Sequence, residues 1–292
     1  MPRSPDRPDA APLEPGLYVV ATPIGNLRDI TLRALDVLSG VDLILAEDTR
    51  SAAKLMSAHR VKGKVERYDD HVGDAAGDAG VRARVLQRLA AGERIALISD
   101  AGTPLVSDPG YRLVREAAAQ GTAVIPIPGA SAVLAGLSVA GLATDRFLFA
   151  GFTPPKSAAR RTLFEALAPV RATLVFYETG PRLAASLADM AAVFGAREAV
   201  VCRELTKLYE TVIRGSLPDL AVDPRLQTPK GEIVVLVAAG ETIAAGPADV
   251  DAALAEALAR LGPSDAAAEV ARALGLPRRD LYRRALALKG AG

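Results

Sequence analysis

Short apolar runs alternate with small, turn-forming and charged segments through the first half of the chain. Leu17-Tyr18-Val19-Val20-Ala21, residues 41–46, Ile95-Ala96-Leu97-Ile98 and residues 122–127 are too short for buried helices and read as strands. Between them, apolar residues fall at helical spacing. A helix is expected from near Asp29, with Leu32, Leu35 and Leu38 on one face; a second carries Val81, Val85 and Leu89; a third covers 111–119. This alternation predicts a mainly parallel α/β domain over 16–127, with ligands gathering at the carboxyl ends of its strands. The rhythm changes over 128–243. Strands are expected at 147–152, 172–177, 199–202, 210–214 and 233–237, with long helices only near 158–167 and 181–194. Strands that follow one another without a helix suggest a second domain with antiparallel pairs. A Gly/Ala/Pro hinge at 244–247 then leads into a helical module, 244–292. Leu254, Leu258 and Leu261 share one face there, as do Ala267, Val270 and Leu274, and a last helix runs from 278 to 289.

Composition narrows the classes. Half of the 292 residues are apolar, enough for sizeable cores, and no apolar run is long enough to span a membrane. Residues 1–15 are rich in proline and lack an apolar segment, which reads as a disordered tail and not a signal peptide. Cys202 is the single cysteine, so an intrachain disulfide and a thiolate cluster are excluded; its apolar strand marks it as core, and a cytoplasmic setting is the plain expectation. A net charge of +1 means that any nucleic-acid binding must come from local patches. His59 and His71, the only histidines, have no partner at metal-ligand spacing, and no metal is expected. No G-x-G-x-x-G follows the first strand and no P-loop occurs, which removes support for dinucleotide enzymes and P-loop NTPases.

What remains is a set of Gly/Pro-rich strand-end loops at 22–26, 99–104 and 128–132. In Ser99-Asp100-Ala101-Gly102-Thr103-Pro104-Leu105-Val106-Ser107-Asp108-Pro109-Gly110, the glycines permit unusual backbone angles while the prolines stiffen the path. Asp108-Pro109 is expected to cap and open the next helix. Together the loops suit a small ligand held largely by backbone groups.

Six motifs occur in order: Thr22-Pro23-Ile24-Gly25-Asn26-Leu27; Glu47-Asp48-Thr49-Arg50; the 99–110 stretch; Phe176-Tyr177-Glu178; Arg203-Glu204-Leu205-Thr206-Lys207; and Lys230-Gly231-Glu232. Over residue 17 to about 239, and on into the tail, the chain closely resembles the ribosomal RNA small-subunit methyltransferase I family, of the tetrapyrrole-methylase fold. It departs from the family at Asp69-Asp70-His71-Val72, where an asparagine often follows the histidine. No essential amide is therefore placed there, and His71 is read as an exposed loop residue.

The resemblance implies two α/β domains with S-adenosylmethionine in the cleft between them. It also implies transfer of the methyl group to the 2′-hydroxyl of a cytidine in the decoding region of small-subunit (16S) ribosomal RNA. Carried over, Pro23, Ile24, Gly25, Asp100, Ala101, Gly102, Thr103, Ser131 and Ala132 line the cofactor from one side, and Phe152, Tyr177, Lys230 and Gly231 close it from the other. A homodimer is a further implication. So are two partners: the ribosomal RNA, free or within the small subunit, and no membrane.

A sugar hydroxyl is a weak acid, so a base should help to remove its proton. Asp29, Glu47, Asp48 and Asp100 are the candidates, and each could instead be a cap or an ion-pair partner. Arg50 and Lys207 could orient phosphate. Lys156, Arg160 and Arg161 form one basic cluster, and Arg278, Arg279, Arg283 and Arg284 make the last helix basic. With Gly275-Leu276-Pro277 as the turn, the tail reads as a helix-turn-helix that docks RNA. Two other readings keep part of this picture: a tetrapyrrole or protein methylase of the same fold, and a non-catalytic RNA-binding protein of ribosome assembly.

Overall fold

A computed structural model describes residues 12–69, 76–240, 247–274 and 276–290. His71, the turn residue Gly275 and most of the expected hinge lie outside them. The chain forms two compact units, one ending at Ala239 and the other beginning at Gly240.

The first sheet is wholly parallel. Its strands are β1 (Gly16–Val20), β2 (Leu43–Ala46), β3 (Val65–Arg67), β4 (Arg94–Ile98) and β5 (Val124–Ile127), in the order β3-β2-β4-β1-β5. Interleaved with them are α1 (Leu32–Gly40), α2 (Thr49–His59), α3 (Ala76–Ala90), α4 (Tyr111–Ala119) and α5 (Ala132–Ala140). The chain moves outward from β1 to β3, then returns with β4 into the gap beside β1. The loops after β1 and β4 therefore meet at the centre of the sheet's carboxyl edge. The strands read as unbroken apolar runs because both faces are covered. Leu17, Leu43, Leu45, Ile95 and Leu97 point to the side of α3 and α4, while Tyr18, Val20, Ile44, Ala46, Ala96 and Ile98 point to the side of α1 and α2.

The helix expected from near Asp29 starts at Leu32 instead. Thr31 caps it by accepting the Ala34 N–H, and Leu27–Asp29 form a separate 3-10 turn capped by Asn26. Asp108-Pro109 does not open α4. Gly110 is its N-cap at φ 122°, and a Cβ there would lie 2.6 Å from Leu97 Cδ2, so the chain turns into the helix at a position that only glycine fills without strain. At the other end, Leu13 packs against the core beside α1, so part of the segment expected to be a disordered tail is ordered.

The second sheet is mixed, in the order β6-β7-β10-β8-β9, with strands Phe147–Phe152, Thr173–Thr179, Glu232–Val237, Glu198–Arg203 and Thr211–Ser216. β6 and β7 run parallel; β7–β10, β10–β8 and β8–β9 are antiparallel. One face packs on α6 (Ser157–Leu167), α7 (Gly180–Phe194) and the short α8 (Leu217–Val222) through Phe164, Phe176, Leu183 and Leu187. The other face is covered by α5, which joins Val133 and Leu137 to Val175, Val200, Val234 and Leu236. Gly136 allows that approach, since a Cβ there would stand 3.3 Å from both Val234 and Leu236.

The second unit packs α9 (Pro247–Leu258), α10 (Pro263–Leu274) and α11 (Arg278–Gly290) around Leu254, Ala266, Ala267, Val270, Leu281 and Ala285. Arg284 in α11 pairs with Asp251 in α9. No helix among the described residues is long and apolar enough to cross a membrane.

Candidate functional site

The loops after β1 and β4 are tied together. The Thr22 N–H donates to Gly102 O at 2.8 Å, the Gly102 N–H donates back to Thr22 O at 3.0 Å, and the Thr22 hydroxyl donates to Ser99 O at 3.1 Å. Gly102 sits at φ 82°, where a side chain would be strained. Leu105 and Ser107, at φ 73° and 67°, occupy the same left-handed region without being glycine, at a cost of roughly 1–2 kcal/mol each. Such strain persists only where the surroundings impose it.

Two cavities open beside these loops. The larger, about 370 Å³, is bounded on the first-sheet side by Ile24, Glu47, Asp100–Asp108 and the α5 start at Ser131 and Ala132. Phe152, Tyr177, Cys202, Leu205 and Gly231–Val234 bound it on the second-sheet side. Glu47, Asp100, Asp108, Glu178 and Glu232 contribute to its lining, and no Lys or Arg does. Acid groups beside apolar walls suit a ligand that carries both a positive charge and a flat apolar part. Tyr177 is half-buried and meets Phe149 and Phe152 edge-on, at 4.7 and 5.4 Å between ring centroids. Burial, and then the charge of Asp108, pushes its phenol up to about 12. Beneath this wall, the buried carboxylate of Glu178 accepts from the Thr153 and Ser186 hydroxyls and from the Thr179 N–H at 2.8 Å, and Arg182 lies 3.3 Å away. That satisfies a charge which burial would otherwise penalise heavily.

The smaller cavity, about 260 Å³, lies between the 22–27 loop and the first turns of α2. Its lining includes Pro23, Gly25, Ser51, Lys54, Leu55 and Lys207. The Lys207 stem lies over Gly25, where a Cβ would come within 2.4 Å of Cγ. Its ammonium reaches Glu204 at 2.9 Å and Glu232 at 3.0 Å. Burial opposes that charge, but the hydrogen bonds to the two carboxylates outweigh it and hold the Lys207 pKa above its ordinary value.

The expected site residues separate on this map. Ile24, Asp100 and Ala101 border both cavities. Gly102, Thr103, Ser131, Ala132, Phe152, Tyr177 and Gly231 border the larger, whereas Pro23 and Gly25 border the smaller alone. Lys230 borders neither: it is exposed, and its carbonyl accepts from Arg203 at 3.1 Å. Among the acids, Glu47 borders the larger cavity, while Asp29 is exposed on the 3-10 turn and borders neither. Asp48 also borders neither. It caps α2 by accepting the Arg50 N–H at 2.8 Å and pairs with the Arg50 guanidinium at 2.7 Å, and these bonds lower its carboxyl to about 2. Its own N–H donates to Asp100 at 3.2 Å. Sequence reasoning did not single out Val106, Glu178, Thr179, Leu205, Glu232 or Ile233 for the larger cavity, or Ser51 and Lys54 for the smaller, and it assigned Cys202 to the core alone. Asp108 and Glu232 stand inside the sequence motifs; the α2 residues had no motif to mark them.

The basic candidates also divide. Arg160 is buried: it pairs with Asp189 at 2.6 Å and donates to the carbonyls of Pro154 and Pro155. It pins the turn after β6 to α6 and α7 and has no surface to offer a phosphate, so the expectation that it binds RNA fails. Arg161 is half-exposed, 3.6 Å from the same Asp189, and Lys156 is exposed. The Arg50 side chain is largely exposed despite its pairing with Asp48. In the tail, Arg278 donates to Ser264, Arg283 lies 3.3 Å from Asp280, and Arg279 is exposed.

The family described as Tetrapyrrole (Corrin/Porphyrin) Methylases matches residues 16–221, and the RsmI C-terminal HTH domain matches residues 244–289. The ribosomal RNA small subunit methyltransferase I of Mesorhizobium japonicum is 50% identical over 282 residues, covering 96% of this chain and 94% of that protein. The protein of the same name from Pseudomonas aeruginosa is 45% identical over 286 residues, covering 94% and 98%. Among solved structures, diphthine synthase superposes with a TM-score of 0.57 at 17% identity, covering 76% of this chain and 89% of that one. The uroporphyrin-III-C-methyltransferase from Thermus thermophilus gives 0.52 at 22%, covering 75% and 93%; both show the fold alone. The chain belongs to the ribosomal RNA small subunit methyltransferase I family, S-adenosylmethionine-dependent methyltransferases built on the tetrapyrrole-methylase fold.

Proposed function

We propose that this protein methylates the 2′-hydroxyl of a cytidine in the decoding region of small-subunit ribosomal RNA, with S-adenosylmethionine held in the larger cavity. The observation that carries the acceptor is similarity that runs the length of the chain, helical tail included, to proteins named for small-subunit ribosomal RNA. The cofactor fits the donor set of the cavity. The acid-rich lining favours a sulfonium, the apolar walls at Ile24, Leu205 and Ile233 suit an adenine, and the strained 99–110 loop brings backbone polar groups close.

When bound, S-adenosylmethionine supplies a methyl group already made electrophilic by the positive sulfur; its C–S bond breaks as the new C–O bond forms, and the electron pair stays on sulfur. The chain supplies position, exclusion of water and a destination for the proton. Asp100 takes the proton in this reading. It borders both cavities, whereas Asp48 is held in a cap and an ion pair, and Asp29 is remote from both. Asp48 keeps a supporting role, since its N–H fixes one Asp100 oxygen.

No Lewis acid is needed, because the sulfonium already activates the methyl group. Calorimetric titration of S-adenosylhomocysteine should give the same affinity with and without a chelator, and binding that vanishes on chelation contradicts this mechanism. The full chain is proposed to act as a homodimer, which sedimentation analysis tests. For the reaction itself, labelled S-adenosylmethionine should transfer its methyl group to small ribosomal subunits from cells lacking the enzyme. Transfer to a tetrapyrrole or to protein, and none to the RNA, would reject the reading.

A further inference from the structure

The smaller cavity is not absorbed by cofactor binding. Ile24, Asp100, Ala101 and Glu232 line both cavities, so the two share a wall at the carboxyl ends of β1 and β4. Resting on the reading that the larger cavity holds the cofactor, we propose that the smaller one receives the acceptor nucleoside, a single nucleotide turned out of its stack, with the ribose against the shared wall.

Three observations carry this. The first is adjacency. An in-line displacement needs the acceptor oxygen within about 3–3.5 Å of the reacting carbon, so the acceptor must adjoin the cofactor, and a cavity sharing Asp100 and Ala101 with it does. The second is charge. No Lys or Arg lines the larger cavity, whereas Lys54 and Lys207 line the smaller. A phosphodiester-linked acceptor calls for cations, and a sulfonium for the reverse. Lys207, anchored by Glu204 and Glu232, is a fixed donor, while exposed Lys54 stands on α2 at the other side of the opening. The third is size. A volume of about 260 Å³ takes one nucleoside and excludes both a stacked dinucleotide and a four-ring tetrapyrrole. Leu27 and Leu55 offer apolar surface to a base face. A concave site of this kind is filled only by a nucleotide that leaves its neighbours, as in enzymes that flip their target base.

Filling the cavity without touching the larger one tests this. Ser51→Phe projects a ring into it from α2, and Lys54→Glu reverses the charge of an exposed residue and should fold normally. For each variant, three quantities are measured: affinity for S-adenosylhomocysteine, melting temperature, and single-turnover transfer to small subunits from cells lacking the enzyme. Cofactor affinity should stay within about twofold, while transfer falls at least about a hundredfold in Ser51→Phe and about tenfold in Lys54→Glu. Folded Ser51→Phe that transfers at the wild-type rate overturns the proposal, as does a parallel loss of cofactor affinity. Should Ser51→Phe fail to fold, Lys54→Glu decides, and unchanged transfer overturns the proposal. If the wild-type protein itself moves no methyl group to the subunit, the functional reading has failed first, and the assay records that separately.

Discussion

Asp100 and Asp48 lie side by side in the 47–50 and 99–104 motifs, and nothing in the sequence ranks one above the other as a base. The structure separates their surroundings. Asp48 spends its oxygens on the α2 cap and on Arg50, which lowers its carboxyl to about 2, a poor acceptor for a sugar proton. Asp100 borders both cavities. Substitution by asparagine isolates charge from architecture, because the amide oxygen of Asp100→Asn can still accept from the Asp48 N–H, and Asp48→Asn can still cap. Asp100→Asn should lower the single-turnover rate by roughly a hundred- to ten-thousandfold at near-normal cofactor affinity. Asp48→Asn should stay within about tenfold of wild type. Equal losses in both variants would show that the pair acts through loop structure. Arg160 carries a different lesson at this scale: a basic cluster in sequence does not say which member turns inward, and here the buried Asp189 claims it.

Elements were legible where one periodicity acted alone. Helix 111–119 and strand 147–152 have the bounds that their patterns indicated. α2 was hidden because Thr49–His59 is half polar, and its start is set by the Asp48 cap and not by an apolar stripe. β3 is three residues long, too short for any period to show. The turn into α4 depends on a close approach of Gly110 to Leu97, a tertiary fact with no local signature. The start of β4 is likewise held from outside the strand. Arg94 donates to Asp42 through side chain and backbone, at 2.6, 2.9 and 3.0 Å, joining the start of β2 to β4. The side-chain bonds first and the backbone N–H second lower the Asp42 carboxyl from 3.8 to about 2. A depressed carboxylate stabilises the fold above its unfolded pKa and ceases to as pH falls through the folded value. The contribution should therefore disappear between about pH 4 and pH 2. The pair is partly exposed, so its worth is about 1 kcal/mol or less. Urea unfolding at pH 7 and pH 2.5 should show Asp42→Asn less stable than wild type at the higher pH and equal to it at the lower. An equal difference at both would remove the ion pair as the cause.

At the scale of the whole molecule, the residues lining both cavities belong to the unit ending at Ala239, and the three tail helices have a core of their own. The sequence showed this division through the hinge and the change to purely helical periodicity. It could not show two neighbouring cavities, because their walls come from segments nearly two hundred residues apart, such as Gly25 and Lys207. Truncation after residue 239 should leave affinity for S-adenosylhomocysteine unchanged. Affinity for small-subunit RNA should fall, and the slope of log affinity against log salt should become shallower by roughly 0.7–0.9 for each phosphate no longer neutralised. Changing Arg278, Arg279 and Arg283 to glutamine should reproduce part of that loss in the full chain. An unaltered salt slope in both would assign the tail to packing or assembly.

The most direct test follows the methyl group to its atom. Small subunits from cells lacking the enzyme are incubated with the protein and S-adenosylmethionine labelled in its methyl group, and the RNA is then digested to nucleosides and separated. The expected result is label in 2′-O-methylcytidine at a single position of the decoding region, abolished in Asp100→Asn. Label on a base, on a ribosomal protein, or on a ribose outside that region would contradict the assignment of acceptor and site together.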